Sequence, residues 1–332
     1  MAMIESSHLA VPAITVCICT RNRVKYLGPT IAAVLSQEIP NGQFDVLVVD
    51  NGSTDGTAEM VTERFGSNTC ATVRYVREDR AGLSRARNRG IAETTGDIIA
   101  FLDDDAIPEP GWLASIANAF ASVPNAAVVG GKVVPMYEGG GAEWLTARVM
   151  GIFAPQIPGS GLRRTHHPIY PFGANIAFRK TVFNRIGSFR EDLGYCGSDL
   201  VPGEETELLM RLEKSGEIIL YEPLAAVRHI IPQNRLSKKY LRRRFKAAGL
   251  GHYEVEKTRR NDFEYWGFRE ISERFFRSLR TYISLWRQVL VARLGGSADG
   301  FDDELQLLTK LGQSETQLKE SLEQLARRLG RK

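Results

Sequence analysis

Three consecutive aspartates, Asp103-Asp104-Asp105, follow the apolar run Ile98-Ile99-Ala100-Phe101-Leu102. Acids spaced i and i+2 at a strand end can converge on one divalent cation, and hard oxygen ligands suit Mg²⁺ or Mn²⁺. Without such a cation the three charges would repel one another. His229, after the strand-like run Glu222 to Val227, could complete the site, although a lone histidine is more often structural. Gly203-Glu204-Glu205-Thr206-Glu207 opens a helical pattern that runs through Leu212. Acids in a first turn are ordinary partners of the helix dipole, and one that faces a cleft can also serve as a general base. Arg80, Arg85, Arg87 and Arg89 crowd a loop and a helix start. Helical spacing puts Arg85 and Arg89 on one side with Asn88 close by, an arrangement suited to a diphosphate.

The elements that must position these groups are legible from periodicity. Ile14 to Cys19 is a nearly continuous apolar, β-branched run, which predicts a buried parallel strand. It leads into the polar loop Thr20-Arg21-Asn22-Arg23. Helical spacing covers Leu27 to Gln37, Thr57 to Phe65, Leu83 to Thr94 and Gly111 to Val123. Strand patterns cover Phe44 to Val49, Thr72 to Val76, Asp97 to Leu102 and Ala126 to Val134. The alternation predicts an α/β fold with a doubly wound, mainly parallel sheet. Ligands bind such sheets at the carboxyl ends of their strands, where Thr20, Asp50 and Asp103 are expected. Pro135 to Tyr170 reads as loops with short strands, forming an acceptor-facing wall. Beyond Arg235 the chain reads as helical. Leu236, Tyr240, Leu241, Phe245 and Ala248 share one face, a longer apolar stripe runs from Ile271 to Leu294, and Gly295-Gly296-Ser297 breaks it. A leucine seam then marks a last helix over Asp303 to Leu329.

The chain has 332 residues, 43% hydrophobic and 25% charged, which excludes a disordered or collagenous chain. Its four cysteines form no C-x-x-C pair, so a disulfide scaffold and a zinc knuckle are not expected, and reduced thiols in the cytoplasm are. Met1 to Val11 does not look like a signal peptide. The longest uncharged stretch, Pro110 to Gly131, is broken by Pro124-Asn125, so no membrane span is expected. Charge is uneven. Residues 233–332 carry 22 Lys/Arg and 13 Asp/Glu, whereas residues 1–232 carry 21 and 26. A basic tail behind an acidic body suggests a membrane or polyanion partner, or a solvated helical surface. No G-x-G-x-x-G, P-loop, H-E-x-x-H or G-x-S-x-G motif is present, which argues against dinucleotide dehydrogenases, P-loop NTPases, zincins and α/β-hydrolases.

Taken in order, six segments resemble family 2 glycosyltransferases: Val16 to Arg23, Val48 to Asp55, Gly82 to Asn88 with Phe101 to Asp105, Phe172 to Asn175, Gly203 to Glu207, and His229. The resemblance covers about residues 12–232. It implies a GT-A fold and inverting transfer from a nucleotide-sugar. Asp50 then binds the base, usually uracil. Thr20, Arg21 and Arg23, with Asn51, Ser53, Arg80, Arg85, Asn88, Asp103 and Asp104, contribute to the nucleotide pocket. Asp103 and Asp105 hold the diphosphate-bound metal, with His229 as a further ligand. Glu205 stands where the family often has Asp as base, with Glu204 as the fallback.

The expected organisation is a catalytic domain over 1–232, with a nucleotide-binding part at 12–105 and an acceptor part at 106–232, followed by a basic helical extension over 233–332. Expected partners are a nucleotide-sugar donor, a glycan or lipid-linked acceptor, and no nucleic acid. For 271–294, peripheral contact with the inner face of the plasma membrane, packing on the protein and a homodimer all remain open. Two other classes fit the sequence less well. A sugar-1-phosphate nucleotidyltransferase would normally carry a Gly-rich loop after the first strand, and Thr20 to Arg23 has no glycine. A non-catalytic polyanion-binding module has no need of the acids at Asp103, Asp105 and Glu205.

Overall fold

The computed structural model describes residues 12–40, 42–67, 71–140, 145–154, 157–196, 199–260, 268–295 and 298–329. The N-terminal stretch to Val11, Cys70 and the Gly296-Ser297 break lie outside them. Its chain divides into two compact units. One comprises Met1–Met136, Ala154–Phe189 and Arg211–Ile230, the other Tyr137–Phe153, Arg190–Met210 and Ile231–Lys332.

The first unit begins with the expected alternation: β1 (Ile14–Thr20), α1 (Val24–Leu35), β2 (Phe44–Asp50), α2 (Thr57–Phe65), β3 (Val73–Arg77), α3 (Leu83–Glu93) and β4 (Ile98–Asp103). β5 (Ala106–Pro108), α4 (Trp112–Ser122) and β6 (Ala126–Tyr137) follow. After α5 (Ala147–Gly151), which belongs to the second unit, come β7 (Arg163–Arg164), β8 (Asn175–Arg179) and α6 (Val182–Ile186). The strand order is β3-β2-β1-β4-β8-β6-β11-β5, where β11 is Ile218–Ile231 and also pairs with β7. β3, β2, β1 and β4 run parallel, and β8 pairs antiparallel with β4 and β6. Helices cover β1, β2 and β4, which are apolar almost without interruption, whereas β3 at the sheet edge is half-buried and carries Arg74 and Arg77. Ile14, Val16, Ile18, Val46, Val48, Ile98, Ala100 and Leu102 pack with Leu27, Ile31 and Val34 of α1 and Trp112 and Phe120 of α4.

On α3, Ser84, Ala86, Arg87 and Gly90 are buried. The close approach of this helix depends on glycine, because a Cβ at Gly90 would collide with Cys17 Sγ on β1. Asn175, fully buried, ties strands together: its Oδ1 accepts the Trp112 indole N–H at 2.8 Å, and its Nδ2 donates to the carbonyls of Lys132 and Ala225 at 3.1 and 2.8 Å.

Two expectations change. Pro135 to Tyr170 contains the end of β6 and the short helix α5 as well as loops. β11 is 14 residues long, so His229 lies within a strand rather than after one. Segments 137–153 and 190–210 cluster with the C-terminal helices.

The second unit contains α5, the hairpin β9 (Gly194–Cys196) and β10 (Asp199–Val201), and the start of α7 (Glu204–Lys214). Three long helices complete it: α8 (Lys238–Arg260), α9 (Phe268–Gly295) and α10 (Ala298–Leu329). Its core joins Val149 and Phe153 to Leu241 and Phe245 of α8, Val289 of α9, and Leu305, Leu308 and Leu311 of α10. Glu304 of α10 sits among these apolar groups with its side chain 2% exposed. Arg242 of α8 grips both its oxygens, at 2.8 and 2.9 Å, and Arg293 of α9 donates to Oε1 at 2.8 Å. Burial opposes ionisation of Glu304, but the two guanidiniums prevail and hold its pKa below the usual range. The expected leucine seam of α10 is only partly inward: Leu311 is buried, whereas Leu322 and Leu329 are exposed.

Candidate active site

Within the first unit, β4 ends at Asp103, and the turn through Asp104 and Asp105 feeds directly into β5. β5 pairs antiparallel with β11, setting His229 opposite Ala106, and Ile230 N–H donates to the Asp105 carbonyl at 2.8 Å. This ladder fixes the third ligand candidate. One carboxylate oxygen each from Asp103 and Asp105 and one ring nitrogen of His229 lie within 4.8 Å of one another. His229 Nε2 is 3.1 Å from Asp105 Oδ1, and both side chains are buried, whereas Asp103 is 37% exposed. Two carboxylates and an imidazole, mostly withdrawn from water, are a donor set that fits a divalent cation of the Mn²⁺ or Mg²⁺ kind.

Arg23, from the loop after β1, pairs with Asp105 and lies 3.3 Å from Asp104 Oδ1. Burial alone would lower the pKa of Arg23, but the carboxylates of Asp104 and Asp105 raise it. Asp104 is also held by Thr20, whose hydroxyl donates to it at 2.7 Å. Burial, reinforced by the charges of Asp105 and Asp103, outweighs Arg23 and Thr20 and pushes Asp104 up to about 7. The native protein therefore binds more protons than the unfolded chain between about pH 4 and pH 7, and metal-free stability falls as pH rises through that window. A dication held by Asp103, Asp105 and His229 would offset this loss. Mn²⁺ is therefore expected to raise the melting temperature more at about pH 8 than at about pH 5; equal increments in a thermal-shift titration would contradict it.

The remaining pocket candidates divide by what they touch. Asp50, at the end of β2, is 1% exposed. Its Oδ1 accepts Ser53 N–H at 2.7 Å, its Oδ2 accepts the Tyr75 hydroxyl at 2.6 Å, and Arg77 is 3.7 Å away. Burial and the Asp50 carboxylate push the Tyr75 phenol up to about 12. Each carboxylate oxygen accepts two hydrogen bonds, so Asp50 retains capacity for a ligand. Ser53 Oγ accepts Asn22 N–H at 2.9 Å. Asn51 shapes the next loop: both amide protons go to the carbonyls of Glu78 and Arg80, at 3.0 and 2.8 Å, and its oxygen accepts Gly82 N–H at 2.7 Å. Asn88 clamps the backbone of Phe189 through two 3.0 Å bonds. Arg21 is exposed, and Arg80 lies against Glu78 at 3.1 Å.

Two arginines of α3 bond locally. Arg89 pairs with Glu93 at 2.8 Å, one turn away, and Arg85 donates to the Ala81 carbonyl at 3.2 Å. Sequence reasoning passed over Arg87, which is 4% exposed, lies 3.8 Å from Asp103 Oδ1, and stacks between Phe101 and Phe189. The spacing of Ser84, Arg87 and Gly90 on one α3 face was the available signal.

In the second unit, α7 begins after Gly203, whose φ of +117° suits glycine. Glu204 is buried, and its carboxylate accepts Gly203 N–H at 3.1 Å. Glu207 is buried and takes a long 3.5 Å bond from Thr258. Glu205 is the half-exposed acid of this turn.

Among the described residues, no helix is long and apolar enough to cross a membrane. Comparison with known proteins matches residues 15–187 to glycosyl transferase family 2. The glucosyl-dolichyl phosphate glucuronosyltransferase of Haloferax volcanii is 27% identical over 230 residues, spanning 69% of this chain and 72% of that protein. The succinoglycan biosynthesis protein ExoM of Rhizobium meliloti is 28% identical over 71% of this chain and 72% of its own length. The mannosyltransferase PcManGT of Pyrobaculum calidifontis, solved with GDP-Man and Mn²⁺, superposes with a TM-score of 0.55 at 17% identity, covering 96% of this chain and 75% of that one. The chain belongs to glycosyl transferase family 2 and is a glycosyltransferase with a GT-A fold.

Proposed function

We propose that this enzyme transfers a sugar from a nucleotide-sugar, UDP-linked, to a hydroxyl of a glycan or lipid-linked acceptor, inverting the anomeric centre by single displacement. The observation that carries this reading is the convergence of Asp103, Asp105 and His229 within 4.8 Å at the end of β4. A divalent cation held there would neutralise charge building on the leaving diphosphate. Asp50 binds the base, with Ser53 and Tyr75 fixing its carboxylate. Arg21, Arg23, Arg80, Arg85 and Asp104 serve the nucleotide, while Thr20, Asn51 and Asn88 hold the pocket walls through the bonds described above. Glu205 takes the proton of the acceptor hydroxyl as that oxygen attacks, and no covalent enzyme intermediate forms. Residues 1–232 constitute the catalytic domain and 233–332 the helical extension, working at the cytoplasmic side of the membrane. The mannosyltransferase that shares the fold binds Mn²⁺, and the Haloferax relative's name includes a lipid-linked phosphate sugar, which supports both the metal and the acceptor class.

A hydrolysis screen of nucleotide-sugars with Mn²⁺ or Mg²⁺ tests the reading. Release of UDP from one UDP-sugar is the expected result, and Asp50→Ala should raise the donor KM more than it lowers kcat. Preference for a GDP- or dTDP-sugar would remove the uracil assignment. Pyrophosphate production from a nucleoside triphosphate and a sugar 1-phosphate would indicate the nucleotidyltransferase instead.

A further inference from the structure

The apolar stripe of α9 is two faces, not one. Ile271, Ser278, Tyr282, Leu285 and Val289 recur at helical spacing and turn inward. Ile271, Ser278 and Val289 are buried, Tyr282 and Leu285 pack on the core shared with α8 and α10, and the Ser278 carbonyl accepts the Ser314 hydroxyl at 3.4 Å. Phe276, Ile283, Trp286, Leu290 and Leu294 recur with the same spacing on the other side. They are exposed by 57, 45, 53, 44 and 78%. Intramolecular packing therefore accounts for the inner stripe and leaves the outer one uncovered.

The charges beside the outer face identify what would cover it. Between Glu273 and Asp299 the chain has five arginines and no acid. Arg274 and Arg293 are committed to Glu320 and Glu304 on the inner side. Arg277, Arg280 and Arg287 are exposed and form no ion pair among the described residues. A second copy of this face would oppose arginine to arginine, and the exposed carboxylate beside them, Glu273, is already held by Arg269 at 3.0 Å. An anionic bilayer surface answers both features: acyl chains take the aromatic and aliphatic groups, and headgroup phosphates take the guanidiniums.

We propose that the outer face of α9 docks on the surface of a bilayer containing anionic phospholipid, lying in its plane without crossing it. Trp286 and Phe276 enter the interface, and Arg277, Arg280 and Arg287 flank them at headgroup level. Near an anionic surface each arginine strengthens partition about fivefold, so three contribute about a hundredfold. The proposal rests on this helix alone and does not need the transfer reaction.

Flotation of the full-length protein tests it, using vesicles of phosphatidylcholine with and without phosphatidylglycerol. The protein should float with the phosphatidylglycerol vesicles and stay behind with the neutral ones. Flotation should be lost at about 1 M salt, where screening acts within about 3 Å. The triple variant R277E/R280E/R287E should lower partition at least about a hundredfold, and F276S/W286S should abolish it. All five positions are exposed, so circular dichroism and nucleotide-sugar hydrolysis in free solution should match the parent protein. Failure of that hydrolysis in every form would count against the proposed transfer reaction and not against docking. Absence of flotation on either vesicle would overturn the proposal, as would a dimer in solution that F276S/W286S dissociates.

Discussion

Asp105→Asn is expected to lower transfer by about three powers of ten, because a metal-assisted departure is worth several kcal/mol and each 1.4 kcal/mol is tenfold. The substitution keeps volume nearly constant, so it removes charge without opening a cavity. It leaves Arg23 and His229, both beside this buried carboxylate, facing a neutral amide. Affinity for Mn²⁺, read by calorimetry, should fall together with kcat/KM, while the far-ultraviolet dichroism of the folded protein is kept. Full activity of the parent enzyme in excess EDTA would sink the metal assignment outright. Asp103→Asn should behave similarly. Its partly exposed side chain lies 3.8 Å from Arg87, so that variant tests the same site with less disturbance of the buried network.

Glu205→Gln should leave donor binding in place and cut kcat by about 10²- to 10⁴-fold, the range expected when a general base is removed. Its two neighbouring acids have other work. Glu204 closes the first turn of α7 by accepting Gly203 N–H, and Glu207 is buried. Glu204→Gln should accordingly act through stability, lowering the denaturation midpoint with a smaller change in kcat. An active Glu205→Gln beside a dead Glu204→Gln would move the base by one residue. Unaltered rates in both would remove the acids of this turn from the chemistry.

Local pattern carried the parallel half of the sheet. The runs at Ile14, Phe44 and Ile98 are buried on both faces and have no other use for so many β-branched residues. Asp103 and Asp105 were legible for the same reason, since the carboxyl end of a strand follows from the strand itself. His229 was harder. Its place beside Asp105 depends on the β5–β11 register, a pairing of residues far apart in sequence that periodicity cannot report. Arg87 was hidden by its type: a charged residue reads as surface until Phe101, Phe189 and Asp103 are seen around it. The apolar stripe of α9 was visible as composition. Its division into an inner and an outer side needed the packing of α8 and α10, because a helix flanked on one side and a helix buried on both can share one list of residues.

Glu304 makes the three long helices interdependent. One buried carboxylate answers a guanidinium from α8 and another from α9, so loss of one arginine leaves the other in place and loss of both leaves Glu304 without a cation. Leaving a buried carboxylate with no cation is costly, about 3–5 kcal/mol where both partners are buried, and less here because the arginines are partly exposed. The arrangement couples Arg242, Arg293 and Glu304 as mutational targets: replacing both arginines by apolar residues of similar reach should be harmful while Glu304 is present and much less so once it is Gln.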